Sequence, residues 1–311
     1  MKRWVWALVM LAGLAAAVRL LARFPWGDTG AALLGAHLPL LAAAIGVNLI
    51  SPVAKGWAWH LLLQRVSPHR WRAAQEATIV GTAVNSVSVG VTGDAARVAL
   101  LVRKEGVPVR AATLAVAWSR VVEAVGLALF LALAPLVLHL PPALRGVQLG
   151  AAGAILTVFV LARLRGWTRL IARLPRSFRG PAVELARMGW GPRLVAPVAL
   201  ACLNWLAQWA TYYLALRATG LQVSGAAAFT ALLAANLGSL GRLTPGGVGL
   251  MQAAIVGALL PFGIAAGRVV AGGLLLQAIQ VLPVLGLAGA LVGWSGIRAS
   301  LRGEKEIEEA A

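Results

Sequence analysis

Residues 242–252 read RLTPGGVGLMQ and interrupt an otherwise apolar part of the chain. Such a turn cannot lie bare in hydrocarbon, because each unpaired backbone group there would cost several kcal/mol. Thr244 is a good helix N-cap, Pro245 suits the first helical position, and the glycines allow close approach by another group. A helix that begins inside a membrane exposes N–H groups and partial positive charge, which attract anions. The stretch predicts either an anion site at a helix start or a plain tight turn.

Composition predicts an all-α polytopic membrane protein. Of 311 residues, 60% are hydrophobic and 12% charged, with a mean hydropathy of +0.82, whereas about a quarter of a soluble domain is charged. The net charge of +18 suits anionic headgroups of membrane lipids as partners, rather than nucleic acid. Cys202 stands alone, and the four histidines (37, 60, 69 and 139) show no ligand-like spacing, so we expect no disulfide, metal or cofactor.

Apolar runs of sufficient length predict about six full spans. They are Met1–Phe24, Ala32–Ala54, Ala111–Leu138, Val147–Leu161, Leu194–Leu216 and Val269–Trp294. A cleaved signal peptide is the alternative interpretation of the first run. The second run ends in residues 55–60, an expected interfacial belt of aromatic and basic residues.

Basic loops set the predicted topology. Residues 65–72, 103–110 and 163–193 are strongly basic, and such loops belong on the cytoplasmic side. All of them lie inside if residues 73–102 and 226–262 each enter the membrane and return, as two re-entrant hairpins from opposite faces. Both termini are then cytoplasmic, in a bacterial-type plasma or inner membrane. Residues 1–311 form one transmembrane domain, with a charged tail at 298–311 that we expect to end in a short helix.

The two hairpin regions predict an inverted repeat, with halves at about 73–138 and 226–294. Each half has an asparagine, a glycine-rich break and a second glycine before a long span. From Gly106 to Arg120 is fourteen residues, as is the distance from Gly263 to Gln277. Inverted repeats in transporters place the substrate site at the repeat interface, near the membrane midplane.

Charged residues inside the span 111–138 mark the candidate site. Arg120 and Glu123 are spaced i, i+3, on one helix face, and Arg120 lies roughly 15 Å beyond Arg110. A charge at that depth costs ~2.5 kcal/mol or more and is usually functional or paired, so a structural ion pair is the alternative. Asp94 and Arg97 repeat the spacing, and Asp94 either caps its helix or pairs with Arg120.

The return arms of both hairpins begin near the midplane and point positive helix ends inward. Together with the arginines they predict a centre that binds an anion such as a lipid phosphate. The predicted substrate-binding residues are Asn85, Asp94, Arg97, Arg120, Glu123, Asn236, Arg242, Thr244, Gly246, Gly247, Gly249 and Gln252.

At these residues the chain resembles the flippase-like family that includes the transmembrane region of lysylphosphatidylglycerol synthase. The resemblance is carried by Trp57–Leu63, by the break from Asn85 to Arg97, by Arg120 with Glu123, and by residues 244–249. It implies movement of phospholipids or lipid-linked molecules between leaflets. The family pattern favours an acid where this chain has Gln252, a basic or aromatic residue near Gln277, and a proline in the first break, which this chain lacks. The soluble aminoacyl-transfer domain of full synthases is absent, so lysyl transfer is not expected.

The predicted function is translocation of an anionic phospholipid or a lipid-linked phosphate. The alternative is a secondary transporter of a small water-soluble anion, which would need a cavity open only to water rather than to lipid. Neither a nucleophile–base pair nor a metal cluster is visible in the sequence, so we expect the chain not to be an enzyme.

Overall fold

The computed structural model describes residues 26–88, 92–140, 142–164, 183, 192–239, 249–264 and 266–308. All regular secondary structure within these ranges is helical, which confirms the predicted all-α class. The predicted span Met1–Phe24 and most of the basic segment 163–193 lie outside the described residues.

Ten α-helices follow one another along the described ranges. They are α1 (Trp26–Leu34), α2 (Leu38–Leu63), α3 (Trp71–Val87), α4 (Thr92–Glu105), α5 (Val109–Val137), α6 (Pro142–Leu164), α7 (Val195–Ala218), α8 (Gly225–Ser239), α9 (Leu250–Leu259) and α10 (Ala266–Glu308). Short 3₁₀ helices precede α7 (Pro192–Leu194) and follow α9 (Leu260–Phe262).

Three of the described helices are long and apolar enough to cross a membrane. They are α2, α5 and the part of α10 from Arg268 to Gly293, and each corresponds to a predicted span. The boundaries of the α2 span differ from the predicted Ala32–Ala54, since residues 26–34 form the separate helix α1 and α2 continues to Leu63. The charged tail also differs from the prediction, because it continues α10 to Glu308 instead of forming a separate helix.

Helices α2 and α7 form an antiparallel pair at the centre of the bundle. At one end the His37 N–H donates to the Ala218 carbonyl, 2.8 Å away, and at the other Arg65 donates to the carbonyl of Arg193. Between them the Ser51 hydroxyl donates to Asn204 Oδ1 at 2.6 Å. The polar residues of α7 therefore face a protein neighbour, which explains why this 24-residue helix is less apolar than the three spans.

The predicted interfacial belt at 55–60 is wrong for two of its members. Trp59 is fully buried against Ala74 and Leu101, and His60 is buried too. His60 Nδ1 lies 2.8 Å from His69 Nε2, so these two histidines are not scattered, as their sequence spacing had indicated. Even so, no described group of three or more His, Cys, Asp or Glu could hold a metal ion.

Two pairs of short helices occupy the places of the predicted hairpins. In the first, α3 packs closely on α4, since a Cβ added to Gly93 would lie 2.1 Å from the carbonyl oxygen of Gly81. In the second, α8 packs on α9, and a Cβ on Gly238 would lie 3.1 Å from that of Ala254. Helix α10 contacts both pairs, with its later part against α3 through Val284.

Candidate functional site

Three charged side chains of α4 and α5 form one ion-paired group, which we call the charged hub. Arg120 Nη2 lies 2.5 Å from Asp94 Oδ2, and its Nη1 lies 3.0 Å from Glu123 Oε2. The Arg120 side chain is 48% exposed, whereas each carboxylate side chain is 20% exposed. The predicted pairing of Arg120 with Glu123 is present, and of the two roles considered for Asp94 the structure has the ion pair with Arg120.

The start of α4 places Asp94 opposite α5. Asn85 Oδ1 accepts a hydrogen bond from the Gly93 N–H at 3.0 Å, and Gly93 is buried against α3 where no side chain fits. On the other side, the indole N–H of Trp205 donates to the Glu123 carbonyl at 3.1 Å. The hub therefore lies between a glycine-packed hairpin and the central helix α7.

Arg97 lies one turn farther along α4 and is buried, with 6% of its surface exposed. Its Nη2 donates to Ser119 Oγ at 3.2 Å, and its Cζ lies 4.2 Å from the centroid of the Trp59 ring. This distance is typical of a cation–π contact. Sequence reasoning missed Trp59 and Ser119, because both reach Arg97 from other helices.

Helix α9 begins later in the sequence than predicted. The N-cap is Gly249, with a φ of 85° that favours glycine, and it lies five residues after Thr244. The Gly249 N–H donates to Gln252 Oε1 at 2.7 Å, and Gln252 Nε2 donates to Gln277 Oε1 at 2.6 Å. Asn236 donates to the Leu232 carbonyl of its own helix.

Four predicted site residues cannot be placed in this geometry. Arg242, Thr244, Gly246 and Gly247 all lie in the segment 240–248, outside the described residues.

The two hairpins make equivalent contacts to the helices that follow them. Asp94, the third residue of α4, bonds Arg120, and Gln252, the third residue of α9, bonds Gln277. The glycines that end the short helices both have positive φ, 65° at Gly106 and 70° at Gly263. The contact is ionic in the first pair of helices and between amides in the second.

Side-chain oxygens already cap the two helix starts. Asn85 Oδ1 takes the Gly93 N–H and Gln252 Oε1 takes the Gly249 N–H, so the backbone donors that the sequence had offered to an anion are partly used. Within the described part of the site, two acids also balance Arg97 and Arg120. The predicted positive centre also includes Arg242, which lies outside the described residues.

A polar layer between α2, α7 and α10 was not predicted. Asn48 Nδ2 donates to the Ile279 carbonyl at 3.0 Å, and Gln208 Nε2 donates to Asn204 Oδ1 at 3.2 Å. The i, i+4 spacing of Asn204 and Gln208 in an apolar helix was the available signal, since polar groups at such positions are usually turned inward.

One end of the bundle is closed by an ion pair between a loop and α4. Arg70 Nε donates to Glu105 Oε1 at 2.8 Å, and the Arg70 backbone N–H donates to Oε2 at 3.1 Å. Burial raises the pKa of Glu105, but the hydrogen bonds from Arg70 and the charges of Arg70 and His69 outweigh it and leave that pKa below its ordinary value.

Comparison with known families gives a match over most of the chain. The family model described as the lysylphosphatidylglycerol synthase TM region matches residues 4–288, a range that includes the hub and both hairpins. Comparison with curated proteins gives no match.

The family match corrects the expectation that this chain is not an enzyme. Proteins of the lysylphosphatidylglycerol synthase type are enzymes, and the matched region is their transmembrane part. The expectation rested on the missing nucleophile, base and metal cluster, but the membrane region of an enzyme does not have to carry these groups itself. Because the match extends over most of the length, the chain belongs to the family of lysylphosphatidylglycerol synthase transmembrane regions.

Proposed function

We propose that the chain moves an anionic phospholipid or a lipid-linked phosphate between the leaflets of the cell membrane. Its family is one of membrane proteins with a lipid-related function, which fits a lipid substrate. The hub supplies charged groups at a depth where the headgroup of a crossing lipid would otherwise meet only hydrocarbon.

The observation that carries the proposal is the exposure of Arg120 within a membrane-length helix. By helix rise, Arg120 lies about 16 Å from the start of α5, which is about 42 Å long. Charged groups at such a depth almost always face a bundle interior or a water-filled cavity, yet 48% of this side chain is exposed. A polar groove beside α5 reconciles the two facts, and a headgroup could pass along it while the acyl chains stay in lipid.

We also propose that the two hairpins re-enter the membrane from opposite faces as an inverted repeat. By helix rise, the 14 residues of α4 and the 10 of α9 extend about 21 Å and 15 Å, less than the ~30 Å hydrocarbon core. The equivalent contacts of Asp94 and Gln252, and the positive φ of Gly106 and Gly263, support a common origin for the halves.

The test is a leaflet-resolved assay of a fluorescent anionic phospholipid in proteoliposomes that contain the purified protein. We expect transport by the wild type and at least a roughly tenfold lower rate for Glu123→Gln, since a tenfold change is about 1.4 kcal/mol. Glu105→Gln is the matched control, because it removes an acid at the end of the bundle. Accumulation of a water-soluble anion without lipid movement would replace the proposal with a small-anion transporter.

A further inference from the structure

Two buried donors beside the hub have no hydrogen-bond partner among the described residues. They are Nε of Arg97 and the indole Nε1 of Trp59. The guanidinium lies over the indole ring, so the two donors belong to one stacked pair. Leaving a buried donor unsatisfied costs about 1–3 kcal/mol, and more for a charged group. Two unsatisfied donors side by side are therefore unusual.

The charge of Arg97 is also without a direct acidic partner in the described part of the chain. Asp94 and Glu123 both bond Arg120, and among the described residues Arg97 donates a hydrogen bond to the neutral Ser119 hydroxyl. A buried cation is normally paired with an anion. Arg97 therefore has unused capacity to bind an anion, whereas both carboxylates of the hub already engage Arg120.

We propose that Arg97, Trp59 and Ser119 form a binding site for a phosphate group, a proposal that rests on the function proposed above. Guanidinium groups bind phosphate with charge-assisted hydrogen bonds from a planar fork. The indole N–H adds a neutral donor to another oxygen of the same group. The Ser119 hydroxyl donates to the Val116 carbonyl at 2.7 Å and accepts from Arg97, so its role in the site is to position the guanidinium.

The position of this site indicates the side from which the phosphate arrives. Trp59 is four residues from the end of α2 and Arg97 eight residues from the end of α4, so they lie about 6 Å and 12 Å from the end that carries the basic loops. Since both side chains are buried, α4 must separate from α2 to admit the group. Binding is therefore coupled to movement of the first hairpin.

The experiment measures binding by the purified chain in nanodiscs of zwitterionic lipid, with inorganic phosphate and a short-chain phosphatidic acid as separate probes. Arg97→Gln should weaken binding about tenfold or more, since hydrogen bonds to charged groups contribute about 1.5–3 kcal/mol. Trp59→Phe, which keeps an aromatic face but removes the N–H, should weaken binding about threefold or more by the same reasoning. The exposed residues Trp71 and Arg103 provide the controls Trp71→Phe and Arg103→Gln, which should stay within about twofold of wild type.

Each outcome decides the proposal. Binding of phosphatidic acid alone assigns the site to a lipid headgroup, and binding of inorganic phosphate as well assigns it to the phosphate group in general. If Arg97→Gln does not fold, Arg97→Lys keeps the charge without the fork and should bind with intermediate affinity. Wild-type affinity in either Arg97 variant, or no binding of either probe by wild type, overturns the site. Because binding is measured without transport, intact binding with no lipid movement would refute only the proposed function.

Discussion

Replacing Arg120 with methionine tests whether the hub stabilises the fold as a paired group. The change keeps an unbranched apolar side chain but leaves Asp94 and Glu123, each 20% exposed at the side chain, without their shared cation. Breaking a fully buried ion pair costs ~3–5 kcal/mol and an exposed pair is worth ~0–1 kcal/mol. Since Arg120 itself is half exposed, we expect the free energy of unfolding to fall by about 2–3 kcal/mol, between these two limits.

Removing one carboxylate should cost less than removing the arginine. Glu123→Gln leaves Arg120 bonded to Asp94 at 2.5 Å. We therefore expect the free energy of unfolding to fall by about 1 kcal/mol, near the value of an exposed ion pair. The double variant Arg120→Met with Glu123→Gln should be more stable than Arg120→Met alone, because it removes one of the two unpaired acids.

The assay is thermal unfolding of the purified protein in one detergent, with the exposed Arg103→Met as the control. A loss of 2–3 kcal/mol corresponds to a midpoint lower by about 3–5 °C for a chain of this size. Midpoints are compared at one scan rate, because membrane proteins of this size often unfold irreversibly. If Arg120→Met and the control shift the midpoint equally, the hub does not contribute to stability and the pairing argument fails.

Three further predictions concern the first hairpin and the loops beside it. Gly93→Ala should destabilise the protein by about 2 kcal/mol or more, because its Cβ would overlap the facing helix, whereas Gly146→Ala, with nothing within 4 Å, should be neutral or stabilising in the same unfolding assay. After Cys202 is replaced, single cysteines at the exposed positions Gln64 and Arg103 should react with an impermeant maleimide from the same side, and labelling from opposite sides would exclude re-entry. Because the pKa of Glu105 is lowered in the folded protein, its stabilising effect is present above pH ~4.3 and is lost as the pH falls through the lower folded value. The difference in the free energy of unfolding between wild type and Glu105→Gln should therefore shrink on acidification. A constant difference from pH 7 to 3 would contradict this.

What the sequence predicted well is what depends on neighbouring residues. A break between Asn85 and Arg97 was predicted from its glycines, which punctuate a helix by local backbone preference, and the helix ends at Val87 and Thr92 lie inside that segment. The span around α5 was placed within two residues at its start, since a long apolar run is recognisable by itself. The i, i+3 pair of Arg120 and Glu123 is likewise a property of one helix.

What could not be predicted depends on how the helices pack. Trp59 stands in an aromatic and basic run that is typical of a membrane interface, and only the contact with α4 shows that it supports Arg97. Ser51 and Asn204 are separated by 153 residues, a distance at which one sequence gives no pairing information. The start of α9 was predicted wrongly, because Thr244 and Pro245 have the local pattern of an N-cap and a first helical residue. The N-cap in the structure is Gly249, which has a positive φ and donates its N–H to Gln252, a side chain that is itself held by Gln277 of α10.

The caps on the two hairpins change which groups should bind an anion. To reach the N–H of Gly93 or Gly249, a phosphate would have to displace Asn85 or Gln252, each of which already accepts a hydrogen bond there. Such an exchange trades one hydrogen bond for another and gains mainly the charge-assisted part, about 1–2 kcal/mol. A guanidinium with an unused donor needs no displacement, so side-chain cations should dominate phosphate binding in the described part of the site. The first of the two helix pairs, α3 with α4, has such a cation in Arg97, while the described contacts of the second pair are between amides. We therefore expect the charged part of the substrate to bind the first pair.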